Sequence, residues 1–393
     1  MLYTMSNSSF PEPVPSKSLL FYLQTLPDPR MDRRKEHLLS EVLCMGLCCL
    51  LCGGENFVDM EDFGRAKRAW LQTFLTLPGG IPSHDTFNRV FSALKPEHFM
   101  ECFLQWTQGL RQAVSQEIVA IDGKALRRAK RKDQPIAYMV NAWAKANGLV
   151  LGQRRVADKS NEITAIPHLL RVLELAGCIV TVDAMGCQKN IAKEISEADA
   201  DYVLALKGNQ QTVYQEVQDF FTTVLAEEKK PLAQRTCPVK PEAWQHLETV
   251  EKDHGRLTIR RYWQCDDIAW FADRHEWENL RSFGMVESLT TQNGITSTDQ
   301  RCSLNSLPID IHTFARAVRG HWGVENQLHW TLDVTFNEDQ SRARTGHAPE
   351  NLSTLRCLAL NLLKQNKSKK SSLRAKRKIA GWDNDFLKDL LKF

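Results

Sequence analysis

The chain has no apolar run long enough to cross a membrane. Its longest, Val42–Cys52, has eleven residues, well short of the roughly 20 that a bilayer requires. Near its start there is no basic segment, apolar stretch and small-residue cleavage site of the kind that makes a signal peptide, so a cytoplasmic protein is expected. The 11 cysteines are odd in number and irregularly spaced, which excludes a secreted disulfide framework. Cys49 and Cys52 form a CxxC beside Cys44 and Cys48, but no second ligand pair accompanies them. These thiols read as small buried hydrophobes rather than metal ligands. Internal repeats are absent. What the chain does have, 42% hydrophobic and 25% charged residues over 393 positions, excludes a mainly disordered, collagen-like or coiled-coil protein. It predicts two or three domains, with enough core to fold without disulfides or a structural metal.

The charge is unevenly spread. The net value is only +4, from 51 basic and 47 acidic residues. Two windows without acids concentrate the cations. One, at 124–132, holds Lys124, Arg127, Arg128, Lys130, Arg131 and Lys132. The other, at 364–378, holds Lys364, Lys367, Lys369, Lys370, Arg374, Lys376, Arg377 and Lys378. Without those fourteen, 37 basic residues face 47 acidic ones, a net −10. An acidic body with two basic patches points to a polyanionic partner.

Residues 1–16 read as a loose leader, and 17–115 as amphipathic helices separated by breakers such as Pro27-Asp28-Pro29, Gly53-Gly54 and Pro78-Gly79-Gly80. Ser83 is placed to cap a helix carrying Phe87, Val90 and Phe91 on one face. That helix suits either a DNA groove or a plain bundle. From Ser115 the pattern changes. Strands are expected at Glu117–Ile121, Ala137–Ala144, Leu149–Val156, Cys178–Val182 and Tyr202–Leu206. Helices are expected at Thr164–Leu175, Gln188–Glu197 and Gln210–Leu225, giving an α/β order β-β-β-α-β-α-β-α. Residues 227–308 break the rhythm and read as β-rich, with strands at Leu257–Trp263 and Met285–Leu289. One long helix then runs from about Ile311 to Leu332.

Three acids stand out by position. Asp122 and Asp183 each follow an apolar strand, and strand ends are where open α/β sheets gather function. If those strands are neighbours, both aspartates enter one crevice, where hard oxygen ligands suit Mg²⁺ or Mn²⁺. The ordinary alternative for each is a turn former or helix cap. Glu325 lies on the late helix, and at about 100° per residue His321 and His329 share its face. Zinc is disfavoured there, since one helix rarely wraps a tetrahedral ion and there is no HExxH.

Phrases in a fixed order then resemble the DDE transposases of bacterial insertion sequences, closest to the group of H-repeat-associated proteins. They are Gly80-Ile-Pro-Ser-His-Asp-Thr86, Val119-Ala-Ile-Asp-Gly-Lys124, Lys159-Ser-Asn-Glu-Ile-Thr-Ala-Ile-Pro167 and Thr181-Val-Asp-Ala-Met-Gly-Cys-Gln188. After them come Leu206-Lys-Gly-Asn-Gln210, His254-Gly-Arg256 and His321-Trp-Gly-Val-Glu-Asn-Gln-Leu-His-Trp330. The resemblance implies a ribonuclease-H-like catalytic domain at 116–226 plus 309–363, interrupted by a β-rich insertion at 227–308. Ahead of it stands a helical N-terminal DNA-binding domain at 17–115, and after it a basic tail at 364–393. It implies Asp122, Asp183 and Glu325 as the catalytic and metal-binding triad, with the first and fourth strands adjacent. Many relatives carry Tyr, Arg and Lys at the positions held here by Val318, His321 and Leu332. The basic role then passes to Arg319, His321 or Lys364, and Glu338 and Asp339 are rivals to Glu325.

The expected chemistry is cleavage of DNA strands at transposon ends and their transfer to target DNA, using two Mg²⁺ ions, with Mn²⁺ as a substitute. Asp122 is expected to bridge the ions, with Asp183 and Glu325 completing one site each. Lys124, Arg127, Arg128 and Lys207 are expected to hold DNA phosphates, with His254, Arg256, Arg319 and His321 as further DNA contacts. Double-stranded DNA and a second copy of the chain are the expected partners. The alternatives are a ribonuclease-H-like nuclease or resolvase, and an inactive DNA-binding relic of a mobile element.

Overall fold

The computed structural model describes residues 18–32, 35–130, 136–156, 162–230, 234, 239–253 and 255–391. The expected leader therefore lies outside the described residues. The chain divides into two compact units, Ala113–Arg344 and a second that joins the N-terminal residues to Thr345–Phe393.

The split unit is helical: α1 (Leu19–Gln24), α2 (Leu39–Leu51), α3 (Phe57–Ala66), α4 (Arg68–Leu71), α5 (His84–Ala93) and α6 (Pro96–Gln108), with α12 (Ala348–Gln365), α13 (Leu373–Trp382) and α14 (Asn384–Leu391) from the far end of the chain. Ser83 caps α5, its hydroxyl accepting from the Thr86 N–H, and Phe87, Val90 and Phe91 are buried as expected. The run Val42–Cys52 is most of α2 together with its C-cap, Cys52, and every α2 residue except Ser40 is buried. It is a core helix, and no helix among the described residues is long and apolar enough to cross a membrane.

The stretch expected as a basic tail is α13 and α14, and residues 345–363 fold with the N-terminal helices rather than with the α/β unit. Two of its cations are structural. The Lys376 ammonium donates to the Leu363 and Asn366 carbonyls at the end of α12. Arg377 donates to the Leu50 and Gly54 carbonyls at the end of α2. Helix C-termini leave carbonyls without intrahelical partners, and a cation satisfies them with favourable dipole alignment. The second window is thus only partly a surface patch.

The α/β unit is built on one nine-stranded sheet, ordered β3-β2-β1-β4-β5-β9-β8-β7-β6. The strands are β1 (Ile118–Ala125), β2 (Tyr138–Ala144), β3 (Leu149–Val156), β4 (Ile179–Val182), β5 (Asp201–Leu206), β6 (Trp244–Asp253), β7 (Arg256–Cys265), β8 (Ser282–Gln292) and β9 (Ile295–Asn305). The helices are α7 (Glu162–Leu170), α8 (Lys189–Glu197), α9 (Gln211–Glu228), α10 (Ile311–Gly323) and α11 (Trp330–Val334). Residues 227–308 are β-rich, but they do not form a separate body. Their four long antiparallel strands extend the same sheet, β9 pairing with β5.

The expected long helix is three pieces, because Val324–His329 between α10 and α11 is a π-helical turn. Such turns interrupt α-helical spacing and recur at functional sites. The α-helix face drawn for His321, Glu325 and His329 therefore does not hold across it.

The packing of α10 on the sheet positions the π-helical turn and Glu325. Phe314, Ala315 and Ala317 of α10 bury against Ile179, Val203, Tyr262 and Val286 of the sheet. At Gly320 the helix backbone lies directly on β1, where an added Cβ would stand 2.7 Å from Ile118 Cδ1 and 2.8 Å from its Cγ2. Gly320→Val is expected to lower stability by about 1–3 kcal/mol, the usual cost of overpacking, read as a lower urea midpoint. An unchanged midpoint would show that α10 has room to move.

Candidate active site

The register of two parallel strands brings the aspartates together. β1 and β4 pair up to the rung Ile121–Val182, so Asp122 and Asp183 are the next residues on each chain. Here β4 stops, while β1 continues to Ala125, with Asp122 opposite Asn141 of β2. Asp122 is thus inside its strand rather than at its end, and the crevice opens because its neighbour is shorter. Alternation along the strands fixes the face. Ile118 meets α10 at Gly320, and Thr181 is hydrogen-bonded through Oγ1 to His321 Nδ1 of α10 at 3.0 Å. Asp122 shares the parity of Ile118, and Asp183 that of Thr181. Both aspartates therefore turn toward the segment that carries Glu325.

Local hydrogen bonds hold the pair. Asp122 Oδ1 accepts from the Gly123 N–H at 2.9 Å. Asp183 caps the short turn Ala184–Gly186, accepting from the Gly186 N–H at 3.3 Å. Its turn-forming role and its crevice position coexist. Glu325 is exposed on the π-helical turn. Burial and then the negative charge of Asp183, with smaller contributions from Glu325 and Glu162, push the Asp122 carboxyl up to about 7. A half-buried carboxylate raised by other carboxylates marks a place where negative charge is under-compensated. Among the described residues, no three His, Cys, Asp or Glu side chains stand close enough as placed to hold a metal ion. In chemistry the donor set, hard carboxylate oxygens with excess negative charge, fits a divalent cation.

Two histidines flank the acids as neutral rings. His321 is pulled below its usual range by burial, which outweighs the opposing charge of Asp183. Its ring is tied to Thr181, so it serves the framework and not as a phosphate-binding cation. His329 Nδ1 stands 3.6 Å from Asp122 Oδ2, too far for a hydrogen bond, and burial pulls it down to about 4.

Lys124 also departs from expectation. Its ammonium is buried and meets Asp333 at 2.7 Å, Glu338 at 3.0 Å and Asp339 at 3.2 Å. It is committed to these acids rather than open to DNA. The same contacts occupy Glu338 and Asp339, the rivals to Glu325. Arg127 reaches Asp339 at 3.3 Å with most of its side chain in solvent, and Arg128 and Lys207 are exposed.

Arg256 and Arg319 line a cleft of about 560 Å³ with Arg260, Arg301 and Trp322. Within it Arg319 pairs with Glu251 at 3.1 Å, and Arg301 lies over the Trp322 ring at 4.6 Å. His254 lies outside the described residues. The departures near Glu325 have structural reasons. Leu332 is buried apolar core, and Val318 packs on the α10 cluster. Lys364 belongs to the other compact unit, where burial pushes it down to about 8.

Comparison with known proteins gives the family. Residues 114–362 match the family model described as transposase DDE domain, and residues 20–107 match the associated model, DDE_Tnp_1-associated. The chain belongs to the DDE transposase family. The "H repeat-associated putative transposase YhhI" of Escherichia coli K12 is 36% identical over 382 residues, covering 95% of this chain and 98% of the relative. The "Putative transposase YncI" of Escherichia coli O157:H7 is 35% identical over 381 residues, covering 95% and 94%. Among solved structures, the piggyBac transposase synaptic complex with hairpin DNA matches with a TM-score of 0.43 at 9% identity, over 95% of this chain and 78% of that one.

Proposed function

We propose that the protein binds the ends of its insertion sequence, cuts DNA strands there and transfers them to target DNA, with Asp122, Asp183 and Glu325 holding divalent cations. The observation that carries this reading is the Ile121–Val182 register, which sets two aspartates side by side facing the glutamate-bearing segment. Asp122, Asp183 and Glu325 would hold the divalent cations, Mg²⁺ or Mn²⁺ in its place, and these would supply Lewis-acid activation of a water or 3′-hydroxyl and stabilisation of the leaving oxygen.

The chain itself provides position and charge. Asp122 and Asp183 are preformed, oriented by the Gly123 and Gly186 N–H groups. Glu325, exposed on the π-helical turn, is the ligand that closes on them. Thr181 and His321 lock α10 to β4 behind the crevice. The protein donates no nucleophile of its own. Arg127, Arg128 and Lys207 take DNA phosphates near the aspartates. Arg256 and Arg319, with the N-terminal helical unit, take the transposon end. Two copies of the chain bring two ends together.

A duplex carrying the element's end tests this. Wild-type protein is expected to nick it in Mg²⁺ and to stop in excess EDTA. Cleavage that persists in EDTA, or a folded protein that never cuts, contradicts the reading. Binding should weaken with salt, with a slope of log K against log[salt] of about −0.9 for each phosphate neutralised. Arg127→Ala with Arg128→Ala should make that slope shallower by about 2. An unchanged slope removes these arginines from the interface.

A further inference from the structure

The cations of the second basic window sort by side along α13. At about 100° per residue, Arg374, Lys378 and Trp382 fall within about 80° of one another. All three are exposed, Trp382 to 78%. Lys376, Arg377 and Ala380 lie on the opposite side and are buried. The segment that leads into the helix adds Lys367, Lys369 and Lys370, also exposed. Among the described residues, Lys369, Lys370, Arg374 and Lys378 form no ion pair.

The helix is pinned in this orientation. Lys376 and Arg377 donate to the carbonyls that end α12 and α2. Lys67, between α3 and α4, donates to the Gly381 carbonyl at 3.1 Å and to Asn384 Oδ1 at 2.8 Å. Two nearby acids are turned to their own neighbours. Asp383 accepts from the Asp385 and Phe386 N–H groups at 3.0 Å, and Asp389 accepts from Asn366 and Ser368. The outer face of α13 therefore carries uncompensated positive charge on a backbone that needs no ordering to bind.

We propose that this face of α13 binds the phosphate backbone of duplex DNA, with the cations on phosphates and Trp382 as an apolar contact beside them. The inference rests on the reading of the protein as a DNA transposase and gives its helical unit a defined binding surface. A lipid surface fits less well. A helix lying on a membrane needs a free apolar side, and α13 exposes no large hydrophobic residue besides Trp382.

The test is fluorescence anisotropy of the full-length protein with a labelled duplex of arbitrary sequence, and with the element's end, over a salt series. Arg374→Gln with Lys378→Gln is expected to make the slope of log K against log[salt] shallower by about 2. The change should be equal on both duplexes, because phosphates carry no sequence. Trp382→Ala should weaken binding roughly 5-fold at unchanged slope, and unaltered affinity removes Trp382 from the surface. All variants should melt as wild type does, since the replaced side chains are exposed. A wild-type slope in the double variant, with DNA bound normally by the wild-type protein, overturns the role of α13 alone. Failure of the wild-type protein to bind either duplex overturns the transposition reading with it. Tighter wild-type binding to vesicles of phosphatidylserine and phosphatidylcholine than to duplex, lost in the double variant, overturns the proposal in favour of a membrane surface.

Discussion

Asp122→Asn and Asp183→Asn are each expected to lower strand cleavage by roughly 10³-fold or more while DNA binding persists. The amide keeps the shape of the carboxylate and loses the charge that holds a divalent cation. The several kcal/mol of transition-state stabilisation that such a cation supplies then disappear. The Gly123 and Gly186 N–H groups that orient the two side chains still find an amide oxygen, so the crevice should keep its form. In Asp122→Asn the metal-free fold should gain stability at pH 8. A carboxyl raised from 3.8 to about 7 in the folded state penalises folding as pH climbs between those values, and the penalty is complete above 7. The gain should shrink as pH falls toward 4. Full Mg²⁺-dependent cleavage by either variant, with binding verified by gel shift, would remove that aspartate from the chemistry.

Lys124→Met is expected to destabilise the α/β unit by about 3–5 kcal/mol, the cost of breaking a buried ion pair on one side. Burial pulls the Lys124 ammonium down, but Glu338 and Asp333 override it and hold it above the usual lysine range. Its pairing therefore stabilises the fold from above the carboxylate range up to about 10.5 and is lost as pH rises beyond that. Without it, Asp333, buried Glu338 and Asp339 repel one another, with Arg127 left at Asp339. The deficit should narrow as pH drops toward the carboxylate range, where those acids protonate. Urea unfolding at pH 7 and pH 4 reads both effects. A loss below about 1 kcal/mol at pH 7 would show that the cluster is hydrated like a surface pair.

How much could be read from the sequence depends on the physics of each segment. The strands before Asp122 and Asp183 were legible because they are apolar runs that lead into a polar residue, although β1 continues past Asp122 to Ala125. The rung that pairs them is a contact between distant segments, and only the family resemblance supplied it. Ser83 and its helix face were legible because capping and amphipathic spacing are local.

β6 and β9 were not legible. Six residues of β9, Ile295–Gln300, are exposed, so they carry no apolar alternation. The π-helical turn was also hidden, since the composition of Val324–His329 is that of an ordinary helix. The charge count failed in an instructive way. Lys124, Lys376 and Arg377 read as surface cations, yet they are buried against partners in other elements: Asp333, Leu363 and Leu50. Of the first patch, Arg127, Arg128 and Lys130 are exposed, and Arg131 and Lys132 lie outside the described residues.

Calorimetric titration of Mn²⁺ into the metal-free protein tests the central claim most directly, because it asks the three carboxylates for a cation without DNA or turnover. Wild-type protein should bind, and Asp122→Asn, Asp183→Asn and Glu325→Gln should each lose most of that binding while melting as folded proteins. Binding of Mn²⁺ by all three variants as tightly as by wild type would contradict the account.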